Sequence, residues 1–130
     1  MKQITGTWRL VRTRAKNDAG EVMHAPYGPK PMGLATFTSY GRMIAVLCDG
    51  RTTLPVDEVG REFNAYSGNY TFYGDTLTTR VDAASDMTRL GGEQVRYVHF
   101  ERDGLVLYPP PRPWKNMIQH RELIWERIAT

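Results

Sequence analysis

The sequence predicts an all-β chain of eight or nine antiparallel strands, closed as a barrel or stacked as a sandwich, with one short helix. Three observations predict it. Apolar and polar residues alternate with period two through most of the chain, and Gly, Asn, Asp and Pro break the runs at regular spacing. Three pairs of runs also flank short glycine-bearing turns, the mark of hairpins. The 130 residues form one domain, 1–130, because a chain this long buries roughly two-thirds of its unfolded surface without disulfides or metal.

The first strand covers 5–16, and a shorter one lies near Val22 and Met23. Segments 33–38 and 42–48 flank Ser39-Tyr40-Gly41 as a hairpin, and 69–73 and 76–83 flank Gly74-Asp75 in the same way. Between them, 55–64 breaks the alternation. Pro55 suits a first helical position, Asp57 and Glu58 favour a first turn, and Val56, Val59 and Phe63 recur at helical spacing, so one or two helical turns are expected there. A third hairpin joins 94–101 to 105–108 through Arg102-Asp103-Gly104. Pro109, Pro110, Pro111 and Pro113 then stiffen a crossover loop, since each fixes φ and removes a backbone donor, and 122–127 is the last strand.

Composition removes several function classes. The formal charge is +3, but the 17 basic residues are spread over the whole length. Arg12, Arg14 and Lys16 share one strand face while Arg9 lies on the other, so no stripe forms for a phosphate backbone and no nucleic-acid partner is expected. No run approaches the ~20 apolar residues of a helical membrane span, so the expectation is a soluble cytoplasmic protein without a membrane partner. Cys48 is the only cysteine, which excludes an intrachain disulfide. His24, His99 and His120 lack metal-site spacing, and no metal is expected, although one of them could serve as an axial haem ligand. The chain has no Gly-x-Ser-x-Gly elbow, no Gly-rich phosphate loop and no His-Glu-x-x-His.

Polar residues on strand faces are the remaining signal. Thr76, Thr78, Arg80 and Asp82 share one face, opposite Leu77, Thr79 and Val81. Gln94, Arg96, Val98 and Phe100 share another, on which Val98 and Phe100 are residues a barrel interior would take. Mixed faces allow a lumen with a few convergent polar groups, and parity alone leaves Arg80 and Asp82 open to either lumen or solvent. An inward Arg96 is either paired inside, with Asp82 the carboxylate expected near it, or awaits an acceptor on a ligand. Among the aromatics, Tyr66 and Tyr70 are the best candidates to turn a hydroxyl into a cavity.

Gly6-Thr7-Trp8 opens the first strand and Trp125-Glu126-Arg127 closes the last. With Tyr27-Gly28-Pro29, Gly41-Arg42-Met43, Phe63 through Gly68, Val81-Asp82-Ala83 and Gly91 through Arg96, they resemble the small bacterial and fungal lipocalin-like domain proteins over nearly the whole chain. The resemblance implies an up-and-down, calycin-like antiparallel barrel of eight to ten strands around an apolar-to-polar pocket, with Arg127 over Trp8 at its closed end.

It also implies a small, largely apolar organic ligand in the lumen, with Tyr27, Tyr66, Tyr70, Arg80, Arg96, Val98 and Phe100 as ligand-binding candidates and no cofactor. Some relatives in natural-product pathways look like cyclases or isomerases. In such an enzyme Asp82 would be the base, Arg96 would stabilise an enolate and Tyr70 would be the acid. Thr79 and Arg80 stand where many members have histidines, so no imidazole acts on this strand. A non-catalytic carrier or sensor is the alternative, an oligonucleotide-binding barrel the second, and a homodimer follows from base rate alone.

Overall fold

The computed structural model describes residues 3–56 and 60–130. Nine strands follow in chain order: β1 (Gly6–Lys16), β2 (Pro31–Phe37), β3 (Arg42–Asp49), β4 (Phe63–Tyr73), β5 (Thr76–Ala84), β6 (Glu93–Phe100), β7 (Gly104–Tyr108), β8 (Arg112–Trp114) and β9 (Met117–Ala129). Each pairs antiparallel with the next from β1 to β7, β7 pairs with β9, and β9 returns to β1. Eight strands therefore close an up-and-down barrel. The ninth, β8, extends the sheet beside the first part of β9, with Arg112 opposite Gln119 and Trp114 opposite Met117.

Closure settles the choice between barrel and sandwich, and the expected hairpins all form. Four details differ from the sequence reading. The segment near Val22 makes one isolated bridge to Lys16 rather than a strand. No helix forms around Pro55 among the described residues. Asp57, Glu58 and Val59 lie outside them, and Phe63 and Asn64 already belong to β4. The single helical turn among the described residues is a 3₁₀ turn, Met87–Arg89, capped by the Asp86 carboxylate accepting from the Thr88 amide. Within the proline-rich crossover, Lys115 and Asn116 both take positive φ, 45° and 64°, and make the tight turn that lets Arg112–Trp114 pair as β8.

The two ends of the barrel differ. At the closed end Ile4, Trp8, Phe37, Leu105 and Trp125 fill the interior. Trp8 is 2% exposed, its indole N–H donates to the Ile4 carbonyl at 2.8 Å, and the Arg127 guanidinium carbon stacks 4.2 Å from its ring centre. The same guanidinium donates to the Thr5 and Gln3 carbonyls, so one side chain seals the end. Inward positions of β4, β5 and β6 continue the packing: Phe37 meets Tyr70 edge-on at 5.2 Å, and Phe72 meets Phe100 at 5.9 Å.

A bulge between Ser67 and Gly68 bends β4 over this core. Only glycine fits there, since a Cβ on Gly68 would sit 2.0 Å from the Arg80 carbonyl oxygen.

Candidate functional site

The open end is left unfilled because arginines, rather than aliphatic side chains, occupy the inward positions there. Along β9 the inward face reads Gln119, Arg121, Leu123 and Trp125, passing from polar rim to apolar floor within three turns of the alternation. On β6 the same parity turns Arg96 inward above Val98, and on β4 it turns Asn64 and Tyr66 inward. The 3₁₀ turn adds Arg89 and β8 adds Arg112. Together they enclose a cavity of about 260 Å³, with Leu47, Leu107, Leu123 and Trp125 lining it below.

The loop between β1 and β2 supplies a further wall. Tyr27 adopts φ 64°, a left-handed conformation uncommon for tyrosine, and lines the cavity. Three contacts hold it. The Thr13 hydroxyl donates to the Pro26 carbonyl at 2.5 Å, the Tyr27 amide donates to Glu62 Oε2 at 3.1 Å, and Gly28 seats against Asp49 so closely that a Cβ would meet its carboxylate at 2.5 Å. Asp49 is 1% exposed and receives the Arg51 guanidinium at 2.7 Å and the Arg51 amide at 3.0 Å. These bonds from Arg51 hold its carboxyl below the usual aspartate range.

Electrostatically the cavity is cationic. Burial, followed by the neighbouring Arg112 and Arg96, brings Arg121 down to about 10. Burial also pushes Arg96 down and the Tyr27 phenol up, the Asn64 amide pulling Tyr27 the other way. The buried side-chain polar atoms without a hydrogen-bond partner among the described residues are Asn64 Oδ1, Arg89 Nε, Arg121 Nε and Trp125 Nε1. All four belong to residues lining this one cavity.

Of the residues singled out from sequence, the structure brings Arg96, Tyr27 and Tyr66 together on the cavity. Tyr70 lies deeper, against Phe37, with its hydroxyl donated to the Thr38 carbonyl at 2.6 Å. Val98 belongs to the buried core, and Phe100 packs against it on the closed-end side.

Arg80 and Asp82 turn to solvent, because Leu77, Thr79 and Val81 take the buried face of β5. The expected Arg96–Asp82 pair is therefore not formed. Asp82 binds Arg42 across β4 at 2.5 Å and accepts from the Ser67 hydroxyl at 2.8 Å, which holds its carboxyl low, and Arg80 lies 3.7 Å from Glu93. Arg96 instead donates to the Val95 carbonyl at 2.8 Å. Arg89, Arg112, Arg121, Asn64 and Trp125 were not among the candidates. For Arg121 a signal existed: it shares strand parity with Leu123 and Trp125.

Among the described residues, no three His, Cys, Asp or Glu side chains gather as a metal site, and no helix is long and apolar enough to cross a membrane. His24 and His120 each face a single carboxylate, Glu62 and Asp18, at 2.6 Å.

A closed eight-stranded barrel with one filled end and one polar, cavity-bearing end has the architecture of small ligand-binding barrels. The chain belongs to the lipocalin-like domain family, whose model matches residues 5–128. A crystal structure of an uncharacterized protein from Bacteroides eggerthii is similar over 97% of this chain and 100% of that one, at 11% identity and a TM-score of 0.48. No curated protein matches the chain.

Proposed function

We propose that this protein binds a small organic molecule at the open end of the barrel. One observation carries the reading: every buried side-chain polar atom left without a hydrogen bond among the described residues belongs to a residue that lines the same cavity. Folded proteins satisfy nearly all such groups, so their concentration at one apolar-floored concavity marks a place where a ligand completes the bonding. The volume of about 260 Å³ is a little under the roughly 300–1,000 Å³ usual for drug-sized ligands, which suits a compact molecule of one or two rings.

Cofactor-free cyclisation or isomerisation is the finer reading. It is favoured by a guanidinium and two phenols, Arg96, Tyr27 and Tyr66, facing one cavity: Arg96 would stabilise a developing enolate and a phenol would donate the proton. Asp82 and Tyr70 have no part in this version, and Glu62 and Asp86 are the carboxylates on the lining. Action in the cytoplasm belongs to the same reading.

Native mass spectrometry of protein purified from its own host, with extraction of what remains bound, tests the binding function. A stoichiometric adduct lost on replacing Tyr66 by alanine supports it. An adduct unaffected by Tyr66→Ala, or no adduct together with no melting shift from a library of compact aromatic and alicyclic compounds, would sink it.

A further inference from the structure

Four guanidiniums line the cavity, and among the described residues only Arg89 has a carboxylate beside it, Asp86 at 3.6 Å. Glu62, the other acid on the lining, is engaged by His24 and the Tyr27 amide. Arg96, Arg112 and Arg121 have no acidic partner among the described residues and rest on neutral acceptors: the Val95 carbonyl at 2.8 Å, the Gln119 amide oxygen at 2.8 Å and the Pro110 carbonyl at 3.1 Å. The unpartnered atoms carry the same sign. Arg121 Nε and Trp125 Nε1 are donors without a hydrogen bond, as is Arg89 Nε apart from its ion pair with Asp86 at 3.6 Å, against one acceptor on Asn64. What completes this site must therefore bring mainly acceptors, and negative charge.

We infer that the cavity takes a compact organic acid, its carboxylate received by Arg96 and Arg121 above an apolar floor of Leu47, Leu123 and Trp125. The inference rests on the small-molecule reading and narrows it to a charge class. Guanidinium geometry matches a carboxylate bidentately, and an uncompensated buried cation is costly until an anion arrives. Arg121 is held down by burial and by Arg112 and Arg96, and the attraction of an anion between them offsets both. The floor separates an organic acid from a bare inorganic anion, since Leu47, Leu123 and Trp125 offer apolar surface that only a hydrocarbon body covers. Trp125 lines the same space and provides a fluorescent reporter.

The test pairs each acid with its neutral amide of the same shape: benzoate with benzamide, 2-naphthoate with 2-naphthamide, and octanoate with octanamide. Inorganic phosphate is included, and binding is followed by tryptophan fluorescence and calorimetry. At least one acid should bind more than about tenfold tighter than its amide, the size of one or more charge-assisted hydrogen bonds. Arg121→Met should cut that preference below about threefold while its melting temperature holds or rises, because a desolvated cation without a counter-charge has been removed. Arg96→Met gives the same readout should Arg121→Met fail to fold.

Amides binding as tightly as acids would overturn the inference and leave the small-molecule function standing. Phosphate binding more tightly than every acid would overturn the organic body. No binding by either series would overturn the inference, and the small-molecule reading then stands or falls by the native mass spectrometry and the compound library.

Discussion

Replacing Arg127 by alanine removes one side chain that does three things at the closed end. It stacks 4.2 Å from the Trp8 ring, and it donates to the Thr5 and Gln3 carbonyls. A cation–π contact over a buried indole contributes about 1 kcal/mol. The half-buried bond to Thr5 is charge-assisted and contributes roughly 1.5 kcal/mol, at the low end for its kind. The bond to Gln3 is exposed and is counted as nothing. Together these give about 2.5 kcal/mol, and with an unfolding entropy of roughly 0.27 kcal/mol/K for this chain length the melting temperature should fall by about 9 °C.

Differential scanning calorimetry with urea titration measures both numbers. Arg127→Met restores the stem and should recover only a minor part of the loss, while Arg127→Lys keeps charge without the planar face and should recover less than half. Binding at the open end should persist in all three variants. A fall of less than about 3 °C on Arg127→Ala would refute the reasoning, because no combination of the two buried contacts is that small.

Three further outcomes are expected. Asp49→Ala should cost about 2 kcal/mol by urea denaturation, because it removes the buried acceptor of the bonds from the Arg51 guanidinium and amide. The folded carboxyl titrates below its unfolded value, so the stability Asp49 contributes is complete above the ordinary aspartate range. It is lost as pH falls through the folded value, and acid unfolding of Asp49→Asn should show a shallower dependence there. Asp82→Asn should leave the affinity of any cavity ligand within about twofold of the parent, since the carboxylate is on the outer face with Arg42; calorimetric titration checks this. Short DNA and RNA should bind weakly and without saturation below ~10⁻⁶ M in fluorescence anisotropy at physiological salt, because Arg9, Arg14, Arg42 and Arg80 are each answered by an acid.

Strand parity explains what could be read in advance. Val98 and Phe100 fix the inward face of β6, and Arg96 shares it, so its direction follows from alternation alone. On β5 both faces carry threonines and the periodicity is weak. Packing of Leu77 and Val81 against the core decides that Asp82 faces water.

The first half of β4 was invisible for another reason. Asn64, Ser67 and Gly68 have low strand propensity, and pairing across the sheet with Leu47, Ile44 and Met43 imposes the conformation. Arg89 and Arg112 come from a 3₁₀ turn and a three-residue strand, where no period exists to read. Arg121 lies one residue before the expected start of the last strand at 122. Extending that alternation backward finds it, and with it the cationic mouth.

The seam between β1 and β9 has a consequence for how the molecule is made. Arg9 and Glu126 meet across it although they lie 117 positions apart in the chain. Every other pairing of the barrel wall up to β7 joins neighbours in sequence and needs only a short loop to close. Until β9 is in place, β1 through β7 can therefore form no more than an open sheet, with β1 and β7 both presenting unpaired edges to solvent or to another copy. β9 arrives last, pairs with both edges at once, and brings Trp125 and Arg121 with it. The step that protects the nascent chain from edge-to-edge association is the same step that creates the cavity.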